Sequence, residues 1–404
     1  MINLRKYIPE GTRDILFDEC TNKKNIEDVL RSVYIEMGYK EVNSPTFEFY
    51  DVYNLKNQPI KQEKMYKLFD NMGRMMVLRP DMTTPIARIA ATKIKNRKYP
   101  VKLCYTGNIY RMNEVLNGKI SEVTQSGIEV LGSNNLRADV EVLIVAIRAL
   151  IKTGLKEFKI EIGQAEFFKS IIEDIDIDEE AIEQLRTLIE NKNFSEVENF
   201  IAENKEKLKD KSNILSKLPE LFGGREVIEK AQKLVNNEKA LDTLNTISKV
   251  YEIVSKAGYS EYLSIDLGMV QHINYYTGLI YRGYAKGIGD TLLSGGRYDN
   301  LISQFGCDIP ATGLAINVDN LMEALESINK NYKTTFVEYM VFGEKIEKAY
   351  FEAEAFNKKR IKAEVSLFDT LYETIEYCKE NKIDKIKNID NGQTIDVRSI
   401  DYEK

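Results

Sequence analysis

The chain has a single histidine, His272, in 404 residues. That excludes a multi-histidine metal site within one chain, because such sites gather several imidazoles or thiolates around the ion. It also leaves any Ser-His-Asp or Cys-His arrangement dependent on His272 as its base. The four cysteines, Cys20, Cys104, Cys307 and Cys378, stand far apart and form no Cys-x-x-Cys pair. Such usage argues against zinc and against a disulfide framework, and suits a reducing cytoplasm. No apolar run reaches bilayer-spanning length, and the N-terminus meets Pro9 and charged residues before a signal-peptide core develops. A basic excess is missing too, since 57 Lys and Arg face 63 Asp and Glu for a net charge of -6. Proteins that grip a nucleic-acid backbone draw much of their affinity from phosphate neutralisation. The balance therefore argues against tRNA as a main partner.

What is present is an ordinary globular composition, 43% hydrophobic and 30% charged, on a chain long enough for two or three domains. Ile26, Val29, Leu30, Val33 and Met37 predict a helix over 24–38 that Gly38 ends. Glu41 to Pro45 reads as a strand. Tyr66–Asp70 and Arg74–Arg79 read as a hairpin around Asn71-Met72-Gly73. Pro85 to Lys95 and Asp139 to Thr153 read as helices. Between them, Val101–Arg111 and Ser121–Leu131 read as strands joined around Asn117-Gly118. This mixture predicts an α+β domain built on an antiparallel sheet.

From Glu166 to Ala257 helical periodicity dominates, broken at Pro219 and Gly223-Gly224, so 166–257 is expected to be a helical insertion. Strand-like sequence returns at Ser264–Leu267, Leu279–Tyr284 and Thr291–Leu293, followed by a helix-like run near Asn300. Residues 312–327 read as strand plus helix. The main domain is thus expected over 1–165 and 258–330. The remainder, 331–404, alternates strands (Phe336–Phe342, Ala363–Leu367, Lys385–Ile389, Thr394–Arg398) with helices (Glu344–Asn357, Tyr372–Asn381), predicting a small α/β unit. From Tyr332 onward it carries 13 Lys and Arg against 15 Asp and Glu.

Asp81 and Thr83 lie two apart after a strand and, on an extended chain, point to one face that can accept an α-ammonium. The plainer alternative, a helix cap ahead of Pro85, is the stronger reading on spacing alone. Arg111 ends one strand of the long hairpin, and Gln125, Gly127 and Glu129 share a face of the other. Gly127 leaves room above the sheet, Glu129 suits the N–H of an imidazole, and Gln125 an ammonium or carboxylate. An Arg–Glu cross-strand pair on a solvated face explains these residues equally well. Tyr275 and Tyr276 offer aromatic walls and hydroxyls, or else are core aromatics on a strand. Gly295-Gly296-Arg297-Tyr298-Asp299 reads as a glycine-rich turn and matches no phosphate loop.

Taken together these pieces resemble histidyl-tRNA synthetases over nearly the full length. They are Pro9-Glu10-Gly11-Thr12-Arg13-Asp14, Gly38-Tyr39 through Pro45 and Glu48, Leu78 to Thr83, Arg111 with Gln125 and Glu129, Tyr275-Tyr276, and Gly295 to Asp299. The resemblance implies a class II aminoacyl-tRNA synthetase-like antiparallel sheet flanked by helices, a dimer-forming motif around Gly38–Glu48, and a last unit like a reduced anticodon-binding domain. It also implies a histidine pocket of Asp81, Thr83, Arg111, Gln125, Glu129, Tyr275 and Tyr276. The departures matter as much. Gln271 and Asn320 stand where the synthetase has catalytic arginines, Asn317 stands for a glycine, and Lys119-Ile120-Ser121-Glu122 for a basic loop. Asp81 and the Tyr-Tyr-Thr-Gly run are more similar to the synthetase paralogues that regulate ATP phosphoribosyltransferase. That implies a non-catalytic, cytoplasmic subunit without cofactor or metal. Its partners would be the short-form catalytic subunit and histidine, in a homodimer within a hetero-octamer. An active or degenerate histidyl-tRNA synthetase is the alternative.

Overall fold

A ten-residue antiparallel hairpin is the spine of the molecule. Alternation along Val101–Tyr110 and Glu122–Leu131 puts Cys104, Ser126 and Ile128 on one face and Tyr105, Gly127 and Glu129 on the other. The computed structural model describes residues 4–56, 60–113, 120–173, 175–270, 275–328 and 337–400. The chain divides into two compact units, Met1–Asn331 and Tyr332–Lys404.

The first unit opens with α1 (Phe17–Glu36), β1 (Lys40–Glu41), β2 (Phe47–Phe49), β3 (Lys67–Phe69) and β4 (Met75–Leu78). Then come α2 (Thr83–Lys93), β5 (Val101–Tyr110), β6 (Glu122–Leu131), α3 (Leu136–Thr153) and β7 (Phe158–Gln164). A helical stretch follows: α4 (Ala165–Ile172), α5 (Glu179–Glu190), α6 (Phe194–Glu203), α7 (Lys205–Leu208) and α8 (Ser212–Lys217). After β8 (Phe222–Gly223) it continues through α9 (Glu226–Gln232) and α10 (Glu238–Val254). The unit closes with β9 (Leu263–Asp266), β10 (Leu279–Ala285), β11 (Leu293–Arg297), β12 (Ala311–Asn317) and α11 (Val318–Ser327). Nine strands form one sheet in the order β1-β5-β6-β12-β11-β10-β7-β9-β8. Six of its pairings are antiparallel; β1 with β5 and β7 with β9 are parallel. Strands β2, β4 and β3 make a separate small sheet.

One face of the large sheet is covered by α1, α3, α10 and α11. Their apolar stripes (Ile26, Leu30 and Val33; Val142, Ala146 and Leu150; Leu244, Ile247 and Val250; Leu321 and Leu325) are buried. The opposite face carries the polar groups. On the helix-covered face a buried charge is anchored instead: Arg297, only 9% exposed, pairs with Asp139 of α3 at 2.6 Å and donates to the Ser133 carbonyl at 2.9 Å. Tyr281 adds its hydroxyl to the other Asp139 oxygen at 2.9 Å.

The expected elements appear with five differences. Helix α1 starts at Phe17 rather than near 24, because its first turn is exposed and shows no apolar period. The Glu41–Pro45 strand shrinks to Lys40–Glu41. Strand β7 was not anticipated, although Phe158, Ile160 and Ile162 alternate into the core. Gly295-Gly296-Arg297 is no turn but the body of β11, laddered on both sides to β10 and β12, so tertiary pairing overrides local glycine preference. The run near Asn300 is a short 3-10 turn, Ile302–Phe305. The Asn117-Gly118 turn lies outside the described residues.

The second unit contains β13 (Tyr339–Phe342), α12 (Ile346–Lys358), β14 (Ala363–Val365), α13 (Leu371–Glu380), β15 (Lys385–Asn388) and β16 (Thr394–Asp396). Its strand order is β14-β13-β15-β16. Val341 packs under Ala349 and Ala353 of α12, whereas Met340 packs with Cys378 of α13, so the helices cover opposite faces.

Removing one member of a buried ion pair strands the other charge, at a cost of about 3–5 kcal/mol. Asp139→Ala is therefore expected to lower the unfolding free energy of the full chain, read from urea denaturation, by an amount in that range, and Asp139→Asn by less. An unchanged value would show that Arg297 finds another partner.

Candidate functional site

The polar face of the sheet is deepest over β6. Glu129, 1% exposed, receives hydroxyls from three elements. Tyr298 donates to Oε2 at 2.5 Å, while Thr83 and Tyr105 donate to Oε1 at 3.1 and 3.3 Å. Burial pushes its carboxyl up to about 8, and the hydroxyls offset only part of that. Among the described residues no cation contacts it directly, and its hydrogen-bond donors there are neutral. The space is closely fitted. A Cβ on Gly313, which faces Glu129 across the β6–β12 ladder, would lie 1.5 Å from Glu129 Oε2. A Cβ on Gly127 would lie 2.5 Å from the Tyr105 hydroxyl. The expected room above Gly127 is thus filled by a tyrosine of this chain.

Asp81 and Thr83 do not project together from an extended segment, because Thr83 already begins α2. The cap reading of Asp81 holds: Oδ1 accepts the Thr84 N–H at 2.7 Å and Oδ2 the Thr84 hydroxyl at 3.1 Å. Burial raises the Asp81 carboxyl, and Thr84 and the nearby Arg111 guanidinium pull it back. Arg111 stands just past β5, with Nε donating to the Pro80 carbonyl at 2.8 Å, and burial lowers its pKa. It forms no cross-strand pair with Glu129, since Arg111 bonds to Ser121 across the hairpin while Glu129 faces Leu103.

Tyr275 and Tyr276 precede β10 rather than lying in a strand. Their rings meet edge-on at 5.0 Å, and Tyr275 stacks on Tyr298 at 6.1 Å. Burial pushes the Tyr276 hydroxyl up to about 12, with the Glu129 charge adding to it. Gln125 shares the strand face of Glu129 but sits four residues along, beside Gly107 and Asn317. Thus Asp81, Thr83, Arg111, Glu129, Tyr275 and Tyr276 converge, and Gln125 borders them. Two residues were missed. Tyr298 sat unassigned in the quoted Gly-Gly-Arg-Tyr-Asp run, and Tyr105 becomes visible only once the hairpin register places it beside Gly127.

Of the four departures, Asn320 is fully described. Its Nδ2 donates to the Thr291 carbonyl at 2.8 Å and its N–H to the Asn317 side chain at 3.0 Å, so this amide braces the start of α11. Gln271, His272 and Lys119 lie outside the described residues. Among the described residues no group of three or more His, Cys, Asp or Glu is arranged to hold a metal, and no helix is long and apolar enough to cross a membrane.

Comparison with known proteins agrees with this geometry. The family model described as histidyl-tRNA synthetase matches residues 11–321. An ATP phosphoribosyltransferase regulatory subunit of Clostridium acetobutylicum is 65% identical over 98% of both chains. One from Bacillus cereus is 43% identical over 95% of this chain and 91% of its own. A Bacillus halodurans crystal structure described as an ATP phosphoribosyltransferase regulatory subunit/histidyl-tRNA synthetase superposes with a TM-score of 0.81 at 32% identity, covering 95% and 97% of the two chains. The histidyl-tRNA synthetase of Nostoc shares the fold, with a TM-score of 0.79 at 19% identity over 98% and 97%.

The raised Glu129 carboxyl has a thermodynamic sign. Between its ordinary 4.5 and about 8, the native chain keeps a proton that the unfolded chain has released. Stability from this group should therefore fall as pH rises through that window and level off above it. Glu129→Gln removes the slope. Its unfolding free energy relative to the parent, read from urea denaturation, should improve from pH 5 to pH 8, by up to about 1.4 kcal/mol per pH unit. Parallel pH responses in the two proteins would refute the assignment.

Proposed function

The chain belongs to the histidyl-tRNA synthetase family, among its ATP phosphoribosyltransferase regulatory subunits, and from that premise we propose that it serves as the non-catalytic, histidine-sensing subunit of that enzyme. In this role it activates the short-form catalytic subunit and carries feedback inhibition by histidine in the first step of histidine biosynthesis. The observation that carries the reading is the pocket's charge inventory. Polar groups suited to an amino acid remain, yet position 320 offers an amide committed to the Thr291 carbonyl, and position 271 is glutamine. Each lost charge-assisted contact costs about 1.5–3 kcal/mol. A lost donor to transition-state charge costs about 100- to 1000-fold. Two such losses disfavour adenylate chemistry and leave binding intact.

In this reading histidine lies across the pocket as a zwitterion. Asp81 and Thr83 take the ammonium, Arg111 and Gln125 the carboxylate side, and Glu129 with Tyr275 and Tyr276 the ring. Imidazole and the Glu129 carboxyl share one proton in the complex, so the contact is charge-assisted. Residues 166–257 serve as an insertion in the class II body and 331–404 as a reduced anticodon-binding domain. The assembly is cytoplasmic, a homodimer within a hetero-octamer. The small sheet supports self-association. Register places Phe47, Phe49, Leu68, Met76 and Leu78 on one side of it, with Phe47 53% and Phe49 44% exposed. An apolar face of that kind is suited to burial against a second copy.

Calorimetry and an ATP–pyrophosphate exchange assay on the purified chain test the reading together. Histidine should bind and exchange should be absent. Glu129→Gln should weaken binding by about 1–3 kcal/mol. The assembled complex should then need roughly 10- to 100-fold more histidine for inhibition while its activation survives. Robust exchange, or unchanged histidine sensitivity in the variant, would overturn it.

Light scattering of the isolated chain should give twice its 46.5 kDa mass. A monomer at micromolar concentration would remove the homodimer.

A further inference from the structure

The helical stretch after β7 reaches the pocket through two side chains one turn apart on α5. Glu190, at its C-terminal end, accepts the backbone N–H of Val270 on Oε2 at 3.0 Å. Arg186 donates Nη1 to the carbonyl of the same residue at 3.3 Å. Both polar groups of one peptide-chain residue are thereby held by one helix. Val270 is itself buried, 1% exposed, and lies five residues before Tyr275.

The same carboxylate continues onto the sheet. Glu190 Oε1 pairs with Arg282 of β10 at 2.8 Å, with both side chains largely covered, 14% and 20% exposed. Arg282 is close enough for its charge to act on the Tyr276 hydroxyl. It also stands on the pocket face: Arg282 pairs with Ser294, Ser294 with Ala315, and Ala315 with Gly127, beside Glu129. Helix α5 is thus hydrogen-bonded to Val270 and ion-paired to Arg282, whose charge reaches the Tyr276 hydroxyl. Discrete, buried polar links of this kind are the physical means by which one packed element biases another.

We propose that Glu190 and Arg186 are positioning residues: they clamp Val270 and Arg282 so that the tyrosine wall is set for the ligand, and they tie ligand affinity to the state of the helical stretch. A partner or ligand that shifts α5 would change histidine affinity without touching the pocket, and bound histidine would in turn stiffen α5, since such coupling is reciprocal. The neighbouring turn offers an internal control. Lys192 bridges to Asp266 at 2.9 Å and lies over the Phe222 ring, so it anchors the same turn to the sheet edge through other partners.

The inference rests on the histidine reading of the pocket, and two measurements on the full chain keep the two apart. The first is the histidine dissociation constant. Glu190→Ala should raise it roughly 3- to 30-fold, the span of coupling through such links. Glu190→Gln keeps an acceptor for Val270 but drops the charge on Arg282, and should rescue part of the loss. Lys192→Met should leave affinity near the parent value. The second measurement is hydrogen exchange of the ligand-free chain over Tyr275–Ala285, which needs no histidine. Glu190→Ala should speed exchange there and Lys192→Met should not. If the parent fails to bind histidine, the pocket reading falls, and exchange alone decides the clamp. If Glu190→Ala changes neither measurement, or if Lys192→Met changes both equally, the clamp is overturned.

Discussion

One buried guanidinium organises the functional end of this molecule. Arg297 reaches Asp139 on α3, the Ser133 carbonyl ahead of that helix, and Asp299 two residues on. Asp299 in turn receives the Thr277 hydroxyl and the Ala311 N–H. The Arg297 carbonyl accepts the Thr277 N–H. The segment bearing Tyr275 and Tyr276, the strand end bearing Tyr298, and the start of β12 are thus fastened to one charge that water cannot reach. A buried charge without partners is too costly to persist, so these contacts form together or not at all. The conspicuous Gly-Gly-Arg-Tyr-Asp run is therefore architectural at its arginine, while its tyrosine serves Glu129.

Glu129 shows the opposite strategy. It is taken out of water with hydroxyls alone, and the penalty appears as a raised carboxyl pKa instead of an ion pair. The raised Glu129 carboxyl stands near Asp81, whose own carboxyl is raised by burial and pulled back by the Arg111 guanidinium. Activating an amino acid would require further positive charge where a nucleotide's phosphates lie. At Asn320, where the family resemblance places one such arginine, the side-chain amide is committed to the Thr291 carbonyl while the backbone N–H is capped by Asn317.

Much of the scaffold was legible from periodicity. The β5–β6 hairpin, α3 and all six elements of the second unit lie close to where alternation and helical spacing put them. Misreadings occurred where a local signal was outvoted by pairing or exposure, as with the glycines of β11 and the solvated first turn of α1. The candidate site was singled out only through family resemblance. Its residues come from four separated segments, each with a local explanation at least as good, of which the Asp81 cap proved real. Tyr105 and Tyr298 escaped notice because their importance depends on register, a property of two strands at once.

The parallel pairing of β7 with β9 limits how this chain could be shortened. Antiparallel neighbours can be joined by a two-residue turn, but parallel ones need the chain to travel back along the sheet, a crossover of a dozen or more residues. The stretch between Gln164 and Leu263 can therefore shrink in a relative or a redesigned protein only down to such a crossover. Helices α4 and α10, whose apolar faces are already buried, are the natural remnant. A miniaturised version built that way would keep eight of the nine strands of its sheet and lose β8 and α5.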